Sequence, residues 1–270
     1  MKDFKGFQVP EGFREPPEKG QRGSTCGLYA IEYAAVALGN TSIPATKGDA
    51  EIGTAKANTS LRQMAKQKKL SKLGEMFSVT NMVSLISTLP PGDKRLKGAD
   101  VDCSILHIQE IIKNNGYCLV PFDVCTDDDE KCGLPCTKGG LNAHWCTIVG
   151  YREKEFLVYH WGEYFRFNSE ALIASNKQLT KFPESFYIKW KKQEAKAALK
   201  APFDKIWASM QSCRDIGNIS YSEIVDPDSK GMAMILLKGL DEYTNEICNI
   251  IKLGECDCSD LRERMVTVTL

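Results

Sequence analysis

Gln21-Arg22-Gly23-Ser24-Thr25-Cys26-Gly27-Leu28 leads without a break into Tyr29-Ala30-Ile31-Glu32-Tyr33-Ala34-Ala35-Val36-Ala37-Leu38, and this junction decides the fold. The first stretch is small and polar, the second apolar. Leu28, Ile31, Ala35 and Leu38 recur at the three-and-four spacing of a helix that buries one face, and Gly39-Asn40 supplies its stop. Cys26 therefore stands where a helix begins, at the positive end of its dipole, where thiolate is favoured over thiol. Gln21, five residues earlier, offers a side-chain amide that can hold an oxyanion together with the backbone N–H of Cys26. The junction predicts a cysteine nucleophile.

A nucleophile of this kind needs an imidazole, and the chain has three: His107, His144 and His160. His107 lies within an amphipathic helix pattern beside its apolar positions and reads as structural or surface. His144, in Asn142-Ala143-His144-Trp145-Cys146-Thr147-Ile148-Val149-Gly150-Tyr151, opens the most strand-like stretch of the second half. A period of two turns Cys146 and Ile148 to the same side as His144. Taken singly, Cys26 would be an ordinary core thiol and His144 an imidazole closing a loop. Together they suit thiol catalysis, in which the imidazole first holds the thiolate and then protonates the leaving amine. The group that orients the imidazole belongs on the next strand. Glu163 and His160 are the candidates there, His160 only as a neutral tautomer. Asn168 is more distant, and a dyad with a backbone or water acceptor is a further option.

Composition narrows the partners. Basic and acidic residues balance at 35 each, so no broad field draws nucleic acid or a membrane surface. No stretch reaches the roughly eighteen apolar residues of a membrane span. Residues 1–17 carry charge and proline and no apolar h-region, unlike a secretory signal. With that, the odd count of 11 cysteines fits reduced thiols in a cytoplasmic setting better than a disulfide framework. Cys125, Cys132, Cys136 and Cys146 are separated by six, three and nine residues, without a Cys-x-x-Cys pair. Zinc sites use tighter pairs, so no metal and no cofactor is expected, and the segment reads as a mobile thiol-bearing lid. Cys256 and Cys258 are likewise too close-set for zinc. A protein or peptide is the expected substrate.

The order of elements is α+β. Helical patterns at 60–70, 78–89 and 104–115 precede strand patterns at 117–124, 144–151, 155–161, 165–167 and 185–190. Residues 1–20 read as a flexible lead-in and 21–191 as the catalytic domain. Residues 192–270 read as a helical extension packed on it, with helices at 193–201, 203–213, 231–240 and 241–253.

Cysteine first and histidine on a strand more than a hundred residues later is the chain order of papain-like peptidases. Four segments resemble one such family, the actin maturation proteases. They are the Gln-x-Gly-x-x-Cys-Gly-Leu block at 21–28, Gly74-Glu75-Met76-Phe77-Ser78, His144-Trp145, and Ser175-Asn176-Lys177-Gln178-Leu179. The first and third would equally suit the bacteriocin-processing peptidases, and the second and fourth narrow the match. The resemblance implies a papain-like core of N-terminal helices followed by an antiparallel sheet. It also implies aminopeptidase-type removal of an acetylated N-terminal residue from actin. Cys26 would attack, Gln21 would hold the oxyanion, and His144 would serve as base and then acid. Actin in its profilin-bound form is the partner it suggests, although the proline-rich N-terminus suited to profilin is reduced here to Pro10, Pro16 and Pro17. The family pattern places an Asp after the Trp corresponding to Trp161. Gly162 stands there, with Glu163 one position later. Two other functions use the same residues: a papain-like effector acting as protease, deamidase or acyltransferase, since all share a thioacyl intermediate, and a catalytically weak peptide-binding protein that keeps the cleft.

Overall fold

β-branched and aromatic residues crowd the second half of the chain, and they form one antiparallel sheet. The computed structural model describes residues 4–15, 21, 25–40, 42–44, 46, 60–71, 76–91, 95–126, 130–180 and 259–270. The chain divides into two units, Met1–Pro183 with Cys256–Leu270, and Glu184–Glu255; the second lies outside the described residues. The strand expected at 185–190 and the helices expected between 193 and 253 fall there too.

Among the described residues the helices are α1 (Cys26–Ala37), α2 (Leu61–Gln67), α3 (Val79–Ser87), α4 (Ile105–Lys113) and α5 (Ser169–Lys177). The strands are β1 (Lys97–Asp102), β2 (Tyr117–Val124), β3 (Pro135–Cys136), β4 (Ala143–Arg152), β5 (Glu155–His160), β6 (Glu163–Asn168) and β7 (Arg264–Thr269). They pair antiparallel in the order β1-β7-β2-β4-β5-β6, with β3 attached to β2. The mixture of helices with an antiparallel sheet matches the α+β expectation.

Alternation along the strands gives each face its own core. On one side Tyr117, Leu119, Trp145, Val149, Leu157, Tyr159, Val266 and Val268 pack with α1 and α3. On the other side Val120, Phe122, Cys146, Ile148, Val158, Phe167 and Met265 pack with Ile108 and Ile112 of α4 and Leu172 of α5. α1 departs from the one-faced helix expected of it. Tyr29, Ala30, Tyr33 and Ala34 are buried as well as Leu28, Ile31 and Ala35, so it is a central helix. Its small residues allow that, because alanines let neighbouring elements approach on the side the spacing rule would leave wet.

Two expectations meet a different structure. Arg264–Thr269, within the stretch read as helical extension, is a strand between β1 and β2 with its four central residues buried. Met-Val-Thr-Val-Thr is β-branched and alternating, a strand signal overshadowed by the helical patterns before it. The N-terminal stretch 4–15, read as flexible, is tied down. Gln8 and Tyr151 exchange backbone hydrogen bonds of 2.8 and 3.0 Å, and Phe7 is buried. Gly150 makes this possible, because a Cβ there would stand 2.9 Å from the Gln8 carbonyl oxygen.

Candidate active site

Side chains cap the starts of α2 to α5: Ser60, Ser78, Ser104 and Asn168 each accept from a backbone N–H of the first turn. α1 is different. The Thr25 side chain makes no capping bond, and Cys26, half-buried, is the first helical residue. Gln21 is also half-buried, five positions ahead of it.

Two contacts set α1 against β4. The Thr147 hydroxyl donates to the Ala30 carbonyl at 3.2 Å. One residue beyond Cys26, a Cβ on Gly27 would lie 2.8 Å from Met76 Cβ and 2.8 Å from Met82 Cε, so only glycine fits. One residue beyond His144, the Trp145 indole N–H donates to the Met76 carbonyl at 2.7 Å. Met76 thus touches the immediate neighbours of both expected catalytic residues. Burial, and then the neighbouring Cys103, pushes the Cys146 thiol well above the usual range.

His144 is 6 % exposed and His160 is 2 % exposed. Nε2 of His144 and Nδ1 of His160 are 3.2 Å apart. Phe122 lies 5.6 and 5.7 Å from the two rings, and Trp161 covers both at 5.4 and 4.9 Å between centroids. Trp161 and Gly162 form the two-residue turn between β5 and β6, both with positive φ (53° and 87°), as a tight hairpin of this hand requires. Burial, and then the neighbouring His160, pushes His144 well below the usual imidazole range. Burial likewise pushes His160 down to about 3, opposed by the backbone of Gly133. Both rings are therefore neutral at physiological pH. Glu163 pairs with His160 across the hairpin, but its side chain is exposed and makes no hydrogen bond to His144. Asn168 caps α5, accepting from Ala171 N–H at 3.0 Å. His107 sits at an exposed position with Nδ1 3.0 Å from the Asp102 carbonyl.

The cysteine-bearing segment folds back on β2 as a hairpin, held by Cys125 N–H to the Leu134 carbonyl and Gly133 N–H to the Cys125 carbonyl, both at 2.9 Å. Cys125 is buried, Cys136 half-buried and Cys132 exposed; all are free thiols. Among the described residues no group of three or more His, Cys, Asp or Glu gathers as a metal site would require. No helix among them is long and apolar enough to cross a membrane.

Asp123 went unnoticed in the sequence. It is fully buried in β2, and its carboxylate accepts from the N–H groups of Lys138, Gly140 and Asn142 at 2.7, 2.8 and 2.9 Å and from Gln178 Nε2 at 2.8 Å. Those three N–H groups belong to the loop that enters β4 just before His144. Gln178 also accepts from Gly139 N–H, and Ser175 Oγ accepts from Asp123 N–H at 2.8 Å. Asn176 Nδ2 donates to the carbonyls of Pro121, Leu261 and Arg264, tying α5 to β2 and to the start of β7. An acidic residue inside an otherwise apolar strand is the sequence signal that could have found this hub.

A sequence model for "Actin maturation protease-like, C-terminal domain" matches residues 17–152. The chain is 31% identical over 133 residues to an actin maturation protease of Drosophila melanogaster. That match covers 48% of this chain and 41% of the fly protein, so it spans less than half of the relative's length. Among solved structures, a C39-like peptidase from Bacillus anthracis is similar at 13% identity and a TM-score of 0.37, over 64% of this chain and 93% of that one.

Proposed function

Because the chain belongs to the actin maturation protease-like family, we propose that it is a cysteine peptidase that removes the acetylated N-terminal residue of actin. The observation that carries this reading is the convergence on Met76: Gly27, next to Cys26, and Trp145, next to His144, both rest on it. The Cys26 thiol passes its proton to His144, and the sulfur attacks the carbonyl carbon of the first peptide bond. The oxyanion is held by the Cys26 N–H and the Gln21 amide. As the tetrahedral species collapses, the C–N bond breaks and the His144 imidazolium gives its proton to the leaving amine. Water, deprotonated by His144, then releases the acetylated residue from the thioester and restores the thiol. In this reading the protein works in a cytoplasmic, reducing compartment, and profilin-bound actin is a candidate form of the substrate.

Mass spectrometry of an acetylated actin N-terminal peptide, incubated with the wild-type chain and with Cys26→Ala, tests the proposal. Loss of one acetylated residue with the wild type alone is the expected result. An uncut peptide beside a rapidly alkylated Cys26 would sink the substrate assignment, and equal cleavage by both chains would sink the nucleophile.

A further inference from the structure

The β5–β6 turn decides what stands beside His144. Phe122, Trp161, Phe165 and Phe167 enclose the His160 ring, and among the described residues no carboxylate hydrogen-bonds either imidazole. Two neutral imidazoles facing each other at 3.2 Å need one proton between them, so one nitrogen is N–H and the other presents its lone pair. The role proposed for His144 decides which. His160 Nε2 is buried and makes no hydrogen bond, so the contact with His144 is the one its ring makes. A base role for His144 through Nδ1 requires a lone pair on Nδ1 of His160, and so Nε2–H on that ring. His144 must then carry its proton on Nε2 and keep its own lone pair on Nδ1.

We infer that His160 is the positioning residue for His144, an imidazole whose Nδ1 accepts from His144 Nε2–H and which stands where a carboxylate or amide would orient the base. This rests on the Cys26–His144 reading above. The proton count closes. Cys26 gives its proton to Nδ1 of His144, the imidazolium so formed donates through Nε2–H to His160, and Nδ1–H later goes to the leaving amine. No proton moves onto His160. The opposite tautomer would place N–H on Nδ1 of His144, and the base would be blocked.

Long-range proton–nitrogen NMR on the full chain, labelled with 15N-histidine, reads the tautomers directly. Nε2–H on both His144 and His160 is expected, and Nδ1–H on His144 would overturn the inference whatever the activity. Kinetics on the acetylated peptide give a second reading. His160→Phe keeps an aromatic ring among its neighbours but offers no acceptor. It should lower kcat by about 100-fold or more with KM within roughly twofold, and His160→Asn, which restores an acceptor, should recover about tenfold of that loss. Wild-type kcat in His160→Phe, or His160→Asn no better than His160→Phe, would overturn it. Failure of the underlying reading looks different: Cys26 would alkylate no faster than the other thiols, and His144→Ala would not change its rate.

Discussion

Two clasps hold the strand that carries His144, and they are built on different physics. Met76 works by contact. It fills the space above Gly27 and offers one backbone carbonyl to Trp145. Asp123 works by hydrogen bonds, gathering three backbone N–H groups of the loop before His144 and the Gln178 amide onto one buried carboxylate. The difference follows from what each must hold. α1 and β4 satisfy their own backbone groups, so side-chain fit is enough to fix their spacing. The loop at 138–142 has N–H groups with no ladder to join, and in a buried place they need an acceptor. Regular elements can be positioned by packing, whereas irregular chain must be positioned by polar groups.

Removing the proposed reacting groups should leave both clasps standing. Cys26→Ala and His144→Ala are expected to lower kcat by at least about 10³-fold; Cys26→Ala should leave the thermal midpoint nearly unchanged, and a collapsed midpoint would mean that Cys26 holds the fold instead. Asp123→Ala attacks the polar clasp and strands buried N–H groups. A loss of about 2–4 kcal/mol is expected in urea unfolding, together with a fall in kcat as His144 loses its support. Stability within about 0.5 kcal/mol of wild type would show that the loop does not depend on the carboxylate. Gly27→Ala attacks the contact clasp with one methyl group, at a cost of about 1–3 kcal/mol. The same substitution should slow Cys26 alkylation if Met76 sets the spacing, and an unchanged rate would count against that.

Between the clasps, the two imidazoles give a pH signature. In the unfolded chain both take up protons near pH 6.5, while burial keeps them neutral in the folded chain, His160 down to about 3. Below pH 6.5 the unfolded state binds more protons, so stability is full above that pH and falls as pH drops toward 3, by at most about 1.4 kcal/mol per pH unit for each ring. The urea midpoint of His160→Phe should decline less steeply than that of wild type between pH 6.5 and 4.5; identical slopes would exclude His160 as a buried neutral group. The smallest effect is expected at Glu163. Its exposed carboxylate makes no hydrogen bond to His144, so Glu163→Ala should leave kcat within about twofold, near the limit for a surface substitution, and a tenfold loss would restore it as the orienting group.

Much of this was legible in the residues. The Cys26 helix start, the Tyr117–Val124 strand, the His144 strand and the hairpin after it follow from apolar periodicity and turn residues, which are local properties. β1 was not legible, because Lys-Gly-Ala-Asp-Val-Asp has little strand propensity and is recognisable chiefly by its partner, whereas β7 carries a strand signal whose partners lie more than a hundred residues away. α5 was missed because Ser169–Lys177 is mostly polar and has little apolar face to read. The segments at 76–78 and 175–179 showed no chemistry in sequence. Their function is to reach across the fold, to Gly27 and Trp145 in one case and to Asp123, Pro121 and Arg264 in the other.

By itself, then, the sequence determined which residue types could react and where helices and strands begin, since a thiol at a helix start and an imidazole at a strand start are set by neighbours along the chain. Only the tertiary structure decided which group faces His144. That depended on a two-residue turn bringing His160 within 3.2 Å and leaving Glu163 in solvent. Proximity between residues distant in sequence is created by packing, and no local pattern encodes it.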